Sequence, residues 1–328
     1  KGGAKILSVE DMIADEENAL VLTSGGYIKR TNPDEYKKQK RGGVGVVDLD
    51  TKEEDFVTHF LTASTHSDLL FFTDKGKAYQ IKMYDIPEDK RATKGKSIMN
   101  FIALSDDEKV TSILPVPKEA KIPPAGGEGA LCMVTEQGVT KKVRALSFHD
   151  VRSSGIIAIK LSAGDRLISV SLVTKDDDVS IVTMNGQSIR FKESDIREMG
   201  RNAGGVRGIK LDKGDKVVGA HEIKSDWKSA HLLVISANGY GKRTKLSEYK
   251  VQGRGGSGVL TSNVTAKTGK VISSQVVTEA EEEVVAISKK SQVVRVDLKE
   301  IPVLGRQTQG VRIMKLREGD SLASLICL

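Results

Sequence analysis

Five arginines recur at one register of this 328-residue chain. Arg41, Arg91, Arg201, Arg254 and Arg306 each lie fifteen residues after a turn position. Gly45, Gly95, Gly205, Gly258 and Gly310 each lie nineteen after it. Arginine close to glycine suits the binding of an anion, because a guanidinium pairs with phosphate and a bare backbone amide can approach it. The fullest form is Gln39-Lys40-Arg41-Gly42-Gly43-Val44-Gly45, and Gln252-Gly-Arg254-Gly255-Gly256-Ser-Gly258 is nearly as complete. More cations gather on the strand before the box or around it: Lys29, Arg30, Lys37, Lys38, Lys90, Lys94, Lys141, Lys142, Arg152, Lys242 and Arg243.

Other chemistry finds little support. The two cysteines, Cys132 and Cys327, form neither a disulfide framework nor a zinc ligand set, and fit a reducing cytoplasm. The five histidines are scattered without metal spacing, and His149 reads as a surface residue. Gly253 to Gly258 matches G-x-G-x-x-G, but neither a buried strand before it nor a helix after it is expected. No phosphate-binding loop of the G-x-x-x-x-G-K-[ST] type exists, and no tyrosine sits in a recognisable DNA-cleaving context. What remains is a binding and shaping module with no catalytic residue, metal or cofactor of its own.

The elements that carry these residues form a repeat. ALVLTSGG, LLFFTDKG, ALCMVTEQG, VSIVTMNG, LLVISANG and VVAISKKS place turn positions at 26, 76, 138, 186, 239 and 291. An apolar residue follows ten later: Tyr36, Ile86, Phe148, Ile196, Tyr249 and Ile301. The third unit is two residues shorter, so its glycine is Gly155 and its arginine, Arg152, is one step out of line. Short runs of Val, Ile, Leu and Phe before a glycine turn read as β-hairpins. About four strands per unit of roughly 50 residues is the size of a propeller-type blade. We expect an all-β ring of six blades, roughly 19–66, 67–118, 130–176, 177–229, 230–280 and 281–328, in one domain. The proline-rich stretch 115–129 reads as a loop between blades two and three. Closure is expected to pair AKILSV, residues 4–9, with the last blade. Trp227 reads as a loop or packing residue.

In such a ring, one register occupies one part of the rim, so the arginines form a belt. Acid clusters such as 106–108, 176–178 and 281–283 fall late in the units or between them. The net charge of +7 therefore understates the belt. A belt of cations suits a long polyanion, and aromatics at 4% are too few for base-stacking platforms, which favours duplex DNA over single strands. No apolar run reaches the length of a membrane span, and the N-terminus lacks the apolar core of a signal peptide. The chain starts without Met, as a piece cut from a longer protein would.

Gln39 to Gly45, following GYIKR inside a six-unit β repeat, resembles the gyrase A box, which marks the C-terminal domain of DNA gyrase A. The opening SVEDMIADEENALVLTSGGYIKR is similar to that family's domain start, and the blade pattern extends the resemblance to essentially the whole chain. Val44 departs from it, standing where the family usually has lysine. The resemblance implies a six-bladed β-pinwheel, a propeller-like ring with different strand connectivity, around whose basic outer rim duplex DNA wraps. It implies a non-catalytic domain of an ATP-dependent type IIA topoisomerase that introduces negative supercoils. ATP and Mg would be used elsewhere, in a heterotetramer formed with the remainder of gyrase A and with gyrase B, in the cytoplasm at the nucleoid. The isolated domain is expected to be monomeric, with no membrane partner. The box residues carried over are Gln39, Lys40, Arg41, Gly42, Gly43 and Gly45. Two alternatives are the corresponding domain of topoisomerase IV, whose box is often degraded, and a protein-binding β-propeller.

Overall fold

The computed structural model describes residues 7–34, 55–90, 92–117, 129–290 and 292–328. Unit one contributes β1 (Glu17–Thr23), β2 (Tyr27–Thr31) and β3 (Val57–Ser64). Unit two supplies β4 (Asp68–Thr73), β5 (Lys77–Lys82), β6 (Lys96–Ser97) and β7 (Val110–Val116). In unit three come β8 (Ala130–Thr135), β9 (Val139–Arg144), β10 (Ile156–Ile157) and β11 (Leu167–Val173). Unit four holds β12 (Asp178–Thr183), β13 (Gln187–Lys192), β14 (Val206–Arg207) and β15 (Val217–Ile223). Unit five runs through β16 (His231–Ser236), β17 (Tyr240–Lys245), β18 (Val251–Gln252), β19 (Val259–Leu260) and β20 (Val271–Val277). Unit six ends the chain with β21 (Glu283–Ser288), β22 (Val293–Asp297), β23 (Val311–Arg312) and β24 (Leu322–Cys327).

Each unit opens with an antiparallel hairpin. Gly26, Gly76, Gly138, Gly186 and Gly239 all take positive φ at its turn, which glycine adopts without a Cβ clash. Several turns are also capped from the loop that precedes the last strand of the unit. Asp165 accepts from the Gln137 amide at 2.9 Å, Asp215 from Asn185 at 3.0 Å and Asp320 from Lys290 at 3.1 Å.

The sheets do not follow the unit boundaries. Their strand orders are β3-β1-β2-β6, β7-β4-β5-β10, β11-β8-β9-β14, β15-β12-β13-β18, where β19 also pairs with β13, and β20-β16-β17-β23. The outermost strand of each thus comes from the following unit and is the segment beside the arginine–glycine box. Each of these five blades is completed by strand exchange with its neighbour, which is the pinwheel connectivity. The sixth sheet, β24-β21-β22, has three strands among the described residues.

The last strands of the units touch in cyclic order: β3, β7, β11, β15, β20, β24 and back to β3. They therefore line the axis, and the box strands, at the opposite edge of each sheet, form the outer rim. Side chains tie the axial strands together. His59 Nε2 lies 3.1 Å from the Thr111 carbonyl, Ser169 Oγ donates to Ala220 at 2.9 Å, and His221 Nε2 lies 2.9 Å from Ser274 Oγ. At the closing joint, Ser324 Oγ donates to the Val57 carbonyl at 2.8 Å. Closure is thus made by β24 against β3. Of the stretch AKILSV, residues 4–6 lie outside the described residues, while Leu7 and Val9 are exposed.

Apolar layers fill the joints. Leu20 and Leu22 pack with Leu69 and Phe71; Leu70 and Phe72 with Leu131 and Met133; Val285 and Ile287 with Ala19 and Val21. First strands are buried on both faces, so their sequences read as unbroken apolar runs. The expected apolar register is core: Ile86, Phe148, Ile196, Tyr249 and Ile301 are all buried, and Tyr36 lies outside the described residues. Trp227 packs, partly buried, against the layer between units four and five. Residues 118–128 of the proline-rich stretch lie outside the described residues, and Pro115 belongs to β7.

Candidate nucleic-acid interface

The outer rim is built from the crossover segments that carry the boxes. Gly95, Gly155, Gly205, Gly258 and Gly310 all have positive φ and press against the second strand of the preceding unit. A Cβ on Gly205 would come within 2.6 Å of the Thr140 carbonyl, and one on Gly310 within 2.6 Å of the Gly241 carbonyl. These glycines are therefore fixed by the fold. Gly256 differs: the nearest atom to a Cβ there would be Ile189 Cδ1 at 4.0 Å, and Gly253 has none within 4 Å. Nothing inside the protein demands glycine at either position.

Consecutive crossover segments are stitched by main-chain bonds. Ala103 N donates to the Ser153 carbonyl at 3.0 Å, Lys160 to Ala203 at 3.1 Å, Lys210 to Gly256 at 2.8 Å and Asn263 to Thr308 at 3.2 Å. The boxes of units two to six thus form one continuous strip around the rim.

The predicted cations divide into two groups. On the strip itself, Arg152 is exposed, as are Lys90 and Lys94, whose ammonium stands 3.8 Å from the centre of the Tyr27 ring. Arg201, Arg254 and Arg306 are half-buried. Arg254 grips the neighbouring unit, donating through Nε to the Asp195 carbonyl at 2.9 Å and through Nη1 to the Arg207 carbonyl at 2.6 Å. Arg306 Nη1 donates to the Leu260 carbonyl at 2.9 Å. Lys37, Lys38, Gln39, Lys40, Arg41, Gly42, Gly43, Gly45 and Arg91 lie outside the described residues.

The second-strand cations require a correction, because they face the joint between units and not the solvent. Lys141 is 0% exposed and Lys242 1%, and Lys29 and Lys142 are buried too. Lys29 Nζ donates to the Thr93 carbonyl at 2.8 Å. Lys141 Nζ reaches Ala158 at 2.9 Å and Arg201 at 2.6 Å. Lys242 Nζ reaches the carbonyls of Gly305, Arg306 and Thr308 at 2.7–2.8 Å. Burial pushes the ammonium groups of Lys141 and Lys242 down to about 8. One position later, Lys142 pairs with Glu193 at 2.7 Å, while Arg30 and Arg243 donate to the carbonyls of Ile86 and Ile301 at 2.8 Å. Charge pattern alone marks a cation as basic and does not say that its alkyl stem threads a strand joint.

Other cations on the rim escaped the sequence reading. Arg207 and Arg312 are exposed on β14 and β23. Lys160, Lys210 and Lys315, each five residues after the box glycine, are exposed as well, and that fixed offset is the signal that could have found them. His149 is exposed beside Asp150, 2.9 Å away. Among the described residues no group of His, Cys, Asp and Glu could hold a metal ion, and no helix is long and apolar enough to cross a membrane.

A family profile described as DNA gyrase C-terminal domain, beta-propeller, matches residues 17–64, 67–117, 130–174, 177–224, 230–278 and 282–328. The chain belongs to this family. Each match is one repeat unit, so the gyrase-type domain accounts for all six. The DNA gyrase A protein of Staphylococcus epidermidis is 39% identical over 324 residues, covering 99% of this chain and 36% of that protein. Its counterpart in Mycolicibacterium smegmatis is 38% identical over 321 residues, covering 97% of this chain and 37% of that protein. The chain thus spans little more than a third of these relatives. A solved DNA gyrase A C-terminal domain superposes with TM-score 0.77 at 29% identity, over 95% of this chain and 99% of that one. The C-terminal domain of DNA topoisomerase IV gives the same TM-score at 25% identity, over 97% and 94%.

Proposed function

We propose that this domain wraps duplex DNA around its outer rim and so gives a gyrase the chiral wrap used in ATP-dependent negative supercoiling. The observation that carries this reading is the continuous strip of crossover segments, on which Lys90, Lys94, Arg152, Arg201, Arg254 and Arg306 follow one another around a closed ring. Gln39 to Gly45 and Arg91, outside the described residues, match these positions in sequence register. Bending DNA by 40–90° costs on the order of 1–6 kcal/mol. A wrap needs many phosphate contacts to offset that, and a strip that follows the ring offers them in series. Gly253 and Gly256, where internal packing leaves room for a side chain, suit close approach of a backbone amide to phosphate.

The domain is a binding module, and catalysis, ATP and Mg belong to the remainder of gyrase A and to gyrase B in the cytoplasmic heterotetramer. The likeness to the topoisomerase IV domain supports a second reading, in which the rim holds DNA without imposing a crossing sign. A topology assay separates the two. Nicked circular DNA is closed by ligase in the presence of the domain, and the linking number is read. A shift that grows with protein and fades with salt is the expected result. Binding without a shift would favour the topoisomerase IV reading, and absence of binding at low salt would overturn both.

A further inference from the structure

Three of the buried lysines, Lys29, Lys141 and Lys242, share one register, three residues after the hairpin glycine, in units one, three and five. Units two, four and six carry Tyr79, Ile189 and Val294 there. Packing at this position therefore does not require an ammonium. All three lysines nevertheless donate to main-chain carbonyls of the same segment, the box loop of the following unit; Lys141 also reaches the Ala158 carbonyl of its own unit, and Lys242 the Thr308 hydroxyl. Thr93 and Thr308 stand at equivalent places in their loops, and each closes its turn with a hydroxyl donation, to Lys90 at 2.7 Å and Gly305 at 2.9 Å.

We propose that Lys29, Lys141 and Lys242 are positioning residues of the DNA-contact rim, each fixing the box loop of units two, four and six through its carbonyls. This rests on the DNA-wrapping reading above. In a trans peptide the C=O and the next N–H point opposite ways. Drawing the carbonyls of Gly305, Arg306 and Thr308 inward turns the amides of Arg306, Gln307 and Gln309 away from the cage. Lys141 does the same for the amide of Asn202 by holding the Arg201 carbonyl. A preformed loop with amides turned outward beside an arginine is suited to receive phosphate at little ordering cost. The unit-five loop follows Ile189 and has no such cage. It is held by its own Arg254 instead, and it carries the doubled glycine. The rim therefore holds the loops of units two, four and six through a lysine of the preceding unit, and the unit-five loop through its own arginine.

The test is a mutant cycle on this chain, reading duplex affinity across a salt series together with the melting temperature. Arg306→Ala should lessen the slope of log affinity against log salt by about one. Lys242→Met should do the same with Arg306 intact, and the double variant should bind no worse than Arg306→Ala alone. Lys242→Met that melts lower but keeps wild-type affinity and slope would overturn the positioning role and leave the wrapping reading standing. Arg306→Ala with wild-type affinity would instead remove the DNA role of this loop, and the inference with it. Thr308→Val guards against a variant that fails to fold, because it deletes one acceptor at 3.1 Å and leaves the ammonium in place. A smaller loss of affinity in the same direction is expected from it, and an unchanged affinity would count against the cage.

Discussion

The Lys242 ammonium lies 2.7 Å from the main-chain carbonyl of Arg306, so that one cation of the repeat holds another in place. The first is 1% exposed and the second stands on the rim. Two residues that composition counts as equal positive charges have opposite duties, and each can be tested separately.

Buried cations one position further along should matter for stability and not for DNA. Lys142 bridges to the Glu193 carboxylate and carbonyl of the next unit. Lys142→Met would leave that carboxylate without its ammonium partner and cost on the order of 3 kcal/mol. Thermal melts should show a clear drop, while the salt slope of duplex binding stays at the wild-type value.

Glycines of the rim should separate by what surrounds them. Gly258 has φ +74 and would press a side chain into the Ser188 backbone. Gly258→Val is expected to destabilise by about 1–3 kcal/mol or more. Gly256→Ala meets open space and should melt as wild type while binding DNA more weakly. Equal melting temperatures for both variants would contradict this division.

The axial histidines should make the ring acid-sensitive. Burial lowers His221 from its ordinary value of 6.5 to about 4, and its ring faces Ser274 Oγ. The unfolded chain binds the proton more readily than the folded one between those values. His221 therefore contributes full stability above pH 6.5, and that stability is lost as pH falls toward 4. Denaturant unfolding at pH 7.5 and 5 should show a larger loss for wild type than for His221→Gln.

Both cysteines should be inert in the native state. Desolvation pushes Cys132 and Cys327 up to about 12, so neither is a thiolate at neutral pH. A thiol reagent should label them only after denaturant is added, and rapid labelling of the folded chain would argue against this packing.

The sequence by itself determined the periodic features. Strands buried on both faces must be apolar throughout, and a hairpin turn at positive φ selects glycine, so the six units, their β character and their apolar register were legible at fixed offsets. The arginine–glycine box was equally plain, because it too repeats in register. Tertiary structure decided what a repeat cannot encode. That β6, β10, β14 and β23 complete the sheet of the preceding unit depends on partners 66 to 80 residues away. The same exchange decided the fate of the second-strand lysines: a crossover segment laid over Lys141 and Lys242 removes them from water, and its carbonyls replace the lost hydration. Arg152 and Arg207, on the outer side of such segments, keep theirs. Basicity is a property of the side chain, but whether it meets solvent or a carbonyl cage is set by the strand that arrives from the next unit.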